Sequence, residues 1–404
     1  MVDPLDAKRI VLDHCRLLPA ETVGLAEAAG RVLAEALVSS EDHPPFAAAT
    51  MDGYAVVAAD PSPWREVIGV QTAGYVLETE VTEGYAVRIT TGSPLPLGSD
   101  AVVPVENTEP ADDHVVILQE QVRVGENIRP IGADVAAGDA VLPAGTVLGP
   151  AEIGLVAGLG AVPVAVRRRP RLAVLSTGDE LAEPGSPVRP GQIRDSNRFS
   201  LAAALTSAGA EVVWSGKAPD KYDELETLMR QLTTTCDVVV TSGGVSMGEL
   251  DLVKPLLASM GKVYFRRIFL KPGKPMTFAT VGDALVFGLP GNPVSALVSF
   301  EFFIRPALRT MMGITQVDRP RVKVRLDAPV EPSDRIELQR ATVNVGNDGD
   351  LHATTTGSQL SSRLASFVGA NALLVIAPRD ARYEVGELVE AFLLDAPVPQ
   401  DASS

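Results

Sequence analysis

The sequence predicts a multidomain protein of mixed α/β and β class, with one α/β domain on a mostly parallel sheet flanked by small β-rich domains. Three observations predict it. From residue 170 to 316 short apolar runs alternate with helical stretches. From 46 to 138 short strands alternate loosely between dense Pro and Gly. From 319 to 396 period two returns, as at Val322, Val324 and Leu326. At 404 residues the chain is too long for one core, so three or four domains are expected.

Residues 4–17 set Leu5, Ile10, Leu12 and Leu17 among charges and read as an amphipathic helix. Residues 23–38 are rich in Ala, Leu and Glu and also read as helix, ended by Pro44-Pro45. Residues 139–166 read as a strand, a short helix from Pro150 and another strand, able to close back on 20–40 as one discontinuous domain. The run Arg167-Arg168-Arg169 reads as a solvated boundary rather than a binding patch. In the α/β region strands are expected at Leu172–Leu175, Val212–Trp214, Val238–Val240, Val263–Leu270 and Leu285–Phe287. Helices are expected at Asn197–Ala208, capped by Ser196 and stopped by Gly209, at Tyr222–Leu232 and at Leu252–Met260. A long helix runs from Pro293 towards Met312 with a kink near Pro306. Residues 319–396 read as a small β-barrel or sandwich, and 397–404 as a disordered tail.

Composition excludes several functions. A net charge of −16 argues against a general nucleic-acid binder, which needs surplus Lys and Arg to displace counterions, and against an anionic membrane surface. Cys15 and Cys236 are far apart, and four scattered His show no metal-ligand spacing. A reducing cytoplasm fits. No apolar signal core opens the chain, and the apolar stretch 140–166 is broken by Pro143, Pro150, Glu152 and Pro163, so no membrane span is expected.

Four loops carry chemistry. Ser176-Thr177-Gly178-Asp179-Glu180 follows the first strand with hydroxyls, a tight-turn glycine and carboxylates. Thr241-Ser242-Gly243-Gly244 follows Val238–Val240, and its small residues expose backbone N–H groups as a nest for an anion, with Asp251 and Lys254 just beyond. Asp251 suits either a helix start or a ligand. Lys271-Pro272-Gly273-Lys274-Pro275 sets two cations across a stiff turn, suited to an oxyanion. Pro290-Gly291-Asn292-Pro293 prepares a helix N-terminus, with Asn292 as cap and Pro293 at the first helical position. All four sit at strand ends of one expected sheet, where such folds bind ligands. Donors, lysines and the carboxylates Glu180 and Asp251 together suggest a phosphorylated ligand with Mg²⁺. In the N-terminal half, turns around Asp52, Thr91, Arg129 and Asp134 carry further polar groups, which spacing alone does not connect.

Eight stretches, MDGYAV (51–56), TGSPLPLGSD (91–100), NIRPIGAD (127–134), STGDEL (176–181), DSN (195–197), 241–248, KPGKP (271–275) and LPGNPVSA (289–296), resemble in order and spacing the molybdopterin molybdenumtransferases of the MoeA type, which include the C-terminal domain of gephyrin. The resemblance spans nearly the whole chain. It implies insertion of molybdate into adenylylated molybdopterin, with hydrolysis of the adenylate, release of AMP and assistance from Mg²⁺. It implies four domains: an elongated linker (18–45 and 139–168), a β-rich domain (46–138), a three-layer α/β molybdopterin-binding domain (1–17 and 169–317) and a C-terminal β-barrel (318–396). It further implies a cytoplasmic homodimer whose cleft joins the α/β domain of one subunit to the β-rich domain of the other. Transient contact with molybdopterin adenylyltransferase and molybdoenzyme maturation factors is also implied.

Carried over by position, Asp52, Asp134, Glu180 and Asp251 take catalytic roles, with Mg²⁺ on Glu180 and Asp251. Substrate binding falls to Thr91, Arg129, Thr177, Gly178, Asp220, Ser242, Gly243, Gly244, Arg267, Lys271, Lys274, Pro290, Gly291, Asn292, Pro293 and Ser358, with Arg340 beside them in the barrel. Three features depart from the family: PPFAAAT before Met51, Arg267 in place of a lysine, and Ala341 in place of a glycine after Arg340. The rival readings are a molybdopterin adenylyltransferase, which is a single small domain, a non-catalytic gephyrin-like scaffold, and a nicotinamide-nucleotide amidohydrolase.

Overall fold

The computed structural model describes residues 1–219, 221–243 and 252–399. The chain divides into two compact units. One comprises Val23–Ala29 and Glu35–Val164; the other comprises Met1–Thr22, Gly30–Ala34 and Ala165–Ser404.

The first unit is built on a six-stranded sheet in the order Ala101–Pro104, Gly53–Val56, Tyr85–Ile89, Trp64–Gln71, His114–Ile117, Thr108–Ala111. Only the Tyr85–Ile89 and Trp64–Gln71 pair is parallel. Tyr54, Val56, Ala86, Val103, Val115 and Ile117 pack on one face, and Ala55, Ile89 and Val102 on the other. Gly53 is required by this packing, because a Cβ there would overlap the Val103 carbonyl. Arg65 is buried in this unit and paired with Asp60 at 3.0 Å. Leu37–Val38 pairs antiparallel with Ala140–Leu142, and Pro150–Gly158 is the expected short helix.

The helix expected over 23–38 is confined to Leu25–Ala28. Gly30 adopts φ +72, a left-handed turn that ends any helix. Beyond it Val32–Ala34 run extended, in the second unit, with Arg167 N donating to Val32 O and Ala34 N to Ala165 O. Burial of Val32, Leu33 and Ala34 outweighs their local propensity.

The second unit holds the α/β sheet, in the order Glu211–Lys217, Arg171–Ser176, Val238–Ser242, Ala284–Leu289, Thr277–Val281, Lys262–Phe265. The first four strands are parallel and the last two antiparallel. Thr277–Val281 was absent from the sequence reading, and the strand expected over 263–270 is two pieces, Lys262–Phe265 and Leu270–Lys271. Leu172, Val174, Val238, Val240, Phe278 and Phe287 face one layer, formed with helices Asn197–Ser207 and Pro293–Ser299. Ala173, Leu175, Val239 and Val286 face the other, formed with Tyr222–Thr235 and Val253–Met260. Each fully buried Leu or Phe here contributes about 1.5–3 kcal/mol.

Ser196 makes no side-chain cap; Asp195 Oδ1 instead accepts from Arg198 N at 3.1 Å. The expected kink is a π-helical turn over Phe300–Ile304, between Pro293–Ser299 and Arg305–Met311. Pro306 has no N–H to offer the preceding turn, and widening that turn accommodates the loss. The triple arginine is not merely solvated: Arg167 donates to Leu18 O and Ala34 O, and Arg168 grips Asp237 with both ends of its guanidinium.

The C-terminal region of the same unit closes a five-stranded barrel through Ile336–Val345, Leu351–Thr355, Arg321–Leu326, Leu388–Leu393 and Ala372–Ile376. Val324 and Leu326 point into its core with Ala341, Val343 and Leu374. Val398 and Pro399 pair with Asn344 and Val345, so ordered pairing continues past residue 396; residues 400–404 lie outside the described chain.

Candidate functional site

Three of the four loops meet at the C-terminal rim of the parallel strands. Thr177 N donates to Ser242 O at 2.9 Å, and Gly243 N to Leu289 O at 3.1 Å. Gly243 lies at φ +87, and a Cβ there would stand 2.6 Å from Thr177 O. Gly291 packs in ordinary contact, with 3.8 Å between the position of its absent Cβ and Gly243 Cα. Asn197 ties the loops together: its Nδ2 donates to Ser242 Oγ and to Gly291 O, each at 2.7 Å. Asn197 is 7 % exposed, and its Oδ1 has no partner. The sequence reading used the DSN stretch as a marker but gave Asn197 no role.

Gly178 adopts φ +136, and a Cβ there would collide with the Glu180 carboxylate, which folds back over it. Glu180 is exposed on the rim, with its carbonyl accepting from Ile193 N at 2.8 Å. Asp220, Gly244 and Asp251 lie outside the described residues.

The KPGKP turn lines a cavity of about 470 Å³. Lys271, Gly273 and Lys274 form one side; Pro290, Asn292 and Ser295 form another; Arg335 and residues 358–361 of the barrel complete it. Gly273, at φ +118, brings the turn within 3.1 Å of Ser299 Oγ, measured from where a Cβ would be. Lys274 is exposed, while Lys271 Nζ lies 3.2 Å from Glu337 Oε2. Asn292 makes no side-chain cap, and Val294 N donates to Ser361 O at 3.1 Å. The helix start expected to be a free anion site is thus partly spent on the barrel. Arg335, Ser361 and Glu337 were missed, because a long-range parallel pairing of Leu270–Lys271 with Ile336–Glu337 brings the barrel here; Ser295 was missed on the helix Pro293–Ser299, inside a stretch that only the resemblance marks.

Arg340 is fully buried and does not line the 470 Å³ cavity. Its Nε donates to Ser366 Oγ at 3.0 Å, and its Nη2 approaches Ser358 O and Leu360 O at 3.3 and 3.4 Å. Burial pushes its pKa down to about 10, against the pull of Glu337. It braces the 358–361 wall, while its buried Nη1 has no partner among the described residues. Arg267 lines a different cavity, of about 410 Å³, with Lys254, Arg266 and Tyr264, which shares only Pro275 with the first.

In the other unit the N-terminal motifs also converge. Ala48–Ala49 pairs with Ile128–Arg129, Gly92 N donates to Ala49 O, and Thr50 N to Asn127 O. Asp52 Oδ1 accepts from Thr91 N at 2.7 Å and from Thr91 Oγ1 at 2.8 Å. These two bonds hold the Asp52 carboxyl below the usual carboxylate range. Arg129 faces Asp134 at 3.4 Å, both half-exposed. Asp134 is held in place by its N–H to His43 O, and Asp42 Oδ1 accepts from Ala137 N.

Three family models match in order: the MoeA N-terminal region (domain I and II) over residues 3–160, a probable molybdopterin binding domain over 173–310, and the MoeA C-terminal region (domain IV) over 323–394. A molybdopterin molybdenumtransferase of Haemophilus influenzae is 37% identical over 91% of this chain and 92% of its own. Molybdopterin molybdenumtransferase 2 of Mycobacterium tuberculosis is 39% identical over 92% and 94%. A gephyrin of Dictyostelium discoideum is 36% identical over 97% of this chain, which spans 62% of that relative's length. The crystal structure of a molybdopterin biosynthesis protein from Pyrococcus horikoshii superposes with a TM-score of 0.83 at 29% identity, covering 97% of this chain and 100% of that one.

Proposed function

The chain belongs to the MoeA family of molybdopterin molybdenumtransferases, and from that premise we propose that it inserts molybdate into adenylylated molybdopterin, hydrolysing the adenylate and releasing AMP. One observation carries the reading. The 470 Å³ cavity joins Lys271, Lys274 and Arg335 to the hydroxyls of Ser295, Ser358 and Ser361, a set of donors around a space with ample room for a tetrahedral oxyanion. Among the described residues no carboxylate lines it. In a chain of net charge −16, that local reversal of sign is what an anionic substrate needs.

The roles divide by loop. Lys271, Lys274 and Arg335 hold molybdate by charge while the serines orient its oxygens. The rim formed by Thr177, Gly178, Ser242, Gly243 and Gly291 presents small residues and backbone to the phosphorylated pterin. Its glycines leave room for close approach. Glu180 is the described carboxylate on that rim, positioned to orient the hydrolytic water. Mg²⁺ fits as a cofactor held by one carboxylate plus substrate phosphates, the usual arrangement for this ion, and it would supply charge neutralisation at the phosphate. Among the described residues no three His, Cys, Asp or Glu gather into a protein cage for it; we assign the ion to Glu180 with Asp251, as the family resemblance implies.

Asp52, Thr91, Arg129 and Asp134 serve the same ligand from the β-rich region, delivered by the second subunit of a homodimer. The protein acts in the cytoplasm, and no helix among the described residues is long and apolar enough to cross a membrane. The matches at both ends of the chain disfavour a single-domain adenylyltransferase.

The test is direct. Purified protein incubated with adenylylated molybdopterin, molybdate and Mg²⁺ should release AMP and form cofactor that activates an apo-molybdoenzyme. ATP consumption without AMP release from the adenylate would identify an adenylyltransferase instead, and absence of both would identify a scaffold.

A further inference from the structure

Lys271 has an internal rival for its charge. Its ammonium stands 3.2 Å from Glu337 Oε2, and the pair is delivered by backbone, since Leu270 and Lys271 run in register with Ile336 and Glu337. The Glu337 side chain is 3 % exposed, whereas Lys271 keeps 41 %. Lys271 lines the 470 Å³ cavity and Glu337 does not. The ammonium therefore sits between a buried carboxylate behind it and the cavity in front. A buried carboxylate is costly unless paired, and among the described residues Lys271 makes its only ion pair.

Resting on the oxyanion reading of this cavity, we infer that Glu337 competes with bound molybdate for the Lys271 ammonium and so keeps the oxyanion loosely enough held to be handed on. Glu337 is a positioning residue that acts through Lys271. A like charge a few ångströms behind the binding cation opposes the anion strongly at the dielectric of a partly buried site. Freeing the lysine loses some preorganisation, but the entropy of one side chain offsets only part of that gain.

The experiment is molybdate titration calorimetry and steady-state AMP release on the full-length protein, its Glu337→Gln variant and its Lys274→Gln variant. Glu337→Gln keeps the side chain's shape, and the lysine it releases is exposed enough to be hydrated, so the fold should survive. The expected result is molybdate binding tightened on the order of tenfold, with KM for molybdate and kcat both lowered. A residue that merely braced the fold would instead weaken binding. Unchanged or weaker binding in Glu337→Gln, while Lys274→Gln weakens it, overturns the inference alone. Molybdate binding untouched by Lys274→Gln overturns the oxyanion reading itself, and the inference with it. A measurement on the unaltered protein stands independently of folding. In crystals soaked with tungstate, the Lys271–Glu337 separation should open beyond the ion-pair range. An unbroken pair with tungstate seated against Lys271 overturns the competition.

Discussion

The two polar clusters of this molecule are built in opposite ways. At the α/β rim the loops are locked from within: Gly243 against Thr177, and buried Asn197 bonded to two of them at once. In the β-rich unit Asp52, Thr91, Arg129 and Asp134 sit at the surface, each steadied by one or two local bonds. The first arrangement suits a site that must hold a phosphate and an oxyanion in fixed relation, since preorganised donors lose nothing on binding. The second suits groups that arrive against a ligand already held elsewhere. Substitutions in the first cluster should therefore damage fold and activity together, and those in the second should damage activity alone.

The sharpest way to break that contrast is Gly243→Ala. The added Cβ meets a backbone carbonyl in a left-handed conformation, costing about 1–2 kcal/mol for the backbone alone before the clash is relieved. We expect a melting midpoint lowered by several degrees and AMP release reduced at least a hundredfold; a variant with wild-type kinetics would mean the rim is not the site. Asn197→Ala comes next. It removes one buried and one part-buried bond and strands Ser242 Oγ, a loss of about 2 kcal/mol by chemical denaturation. Activity should fall with stability, because the same side chain spaces the loops.

Lys274→Gln, in the cavity beside the rim, should behave otherwise. Lys274 is exposed and pairs with no carboxylate among the described residues, so its removal should leave the melting midpoint unchanged. The loss of a charge-assisted contact should raise KM for molybdate about tenfold or more, with kcat less affected. A drop in stability instead would mark it as structural.

What the sequence made legible follows from locality. A parallel strand delivers the loop after it to the same edge as its neighbours, so the segments at 176–180, 241–243 and 289–293 could be gathered from pattern alone. The barrel wall could not. Arg335, Glu337 and Ser361 reach the KPGKP turn through a strand pairing some 66 residues away in sequence, the spacing of Lys271 and Glu337, which no periodicity encodes. Arg340, which only the resemblance sets near the ligand, braces loop carbonyls with Nη2 and keeps Nη1 unpartnered among the described residues. The helix misread over 23–38 failed at Gly30, where one left-handed residue outweighs a run of good helix formers. Ser196 failed as a cap because Asp195 reached the same N–H first.

The smallest effect expected belongs to the exposed cluster, and it tests the contrast from the other side. Two hydrogen bonds from Thr91 favour the ionised form of Asp52 and hold its pKa below the ordinary range. Because the folded carboxyl titrates below the unfolded one, the stability these bonds add is fully present above about pH 4 and is lost as the pH falls through the folded value. Thr91→Val keeps the backbone bond and removes the hydroxyl one. Carboxyl-carbon NMR should show the Asp52 titration moving up towards, but not reaching, the unperturbed value. Thermal stability at pH 7 should barely change, since Asp52 is open to water. AMP release should nevertheless fall if Asp52 serves the ligand as proposed, because the hydroxyl aims its carboxylate. A Thr91→Val protein with shifted titration and intact turnover would leave Asp52 well ordered but idle, and would move the chemistry wholly to the α/β rim.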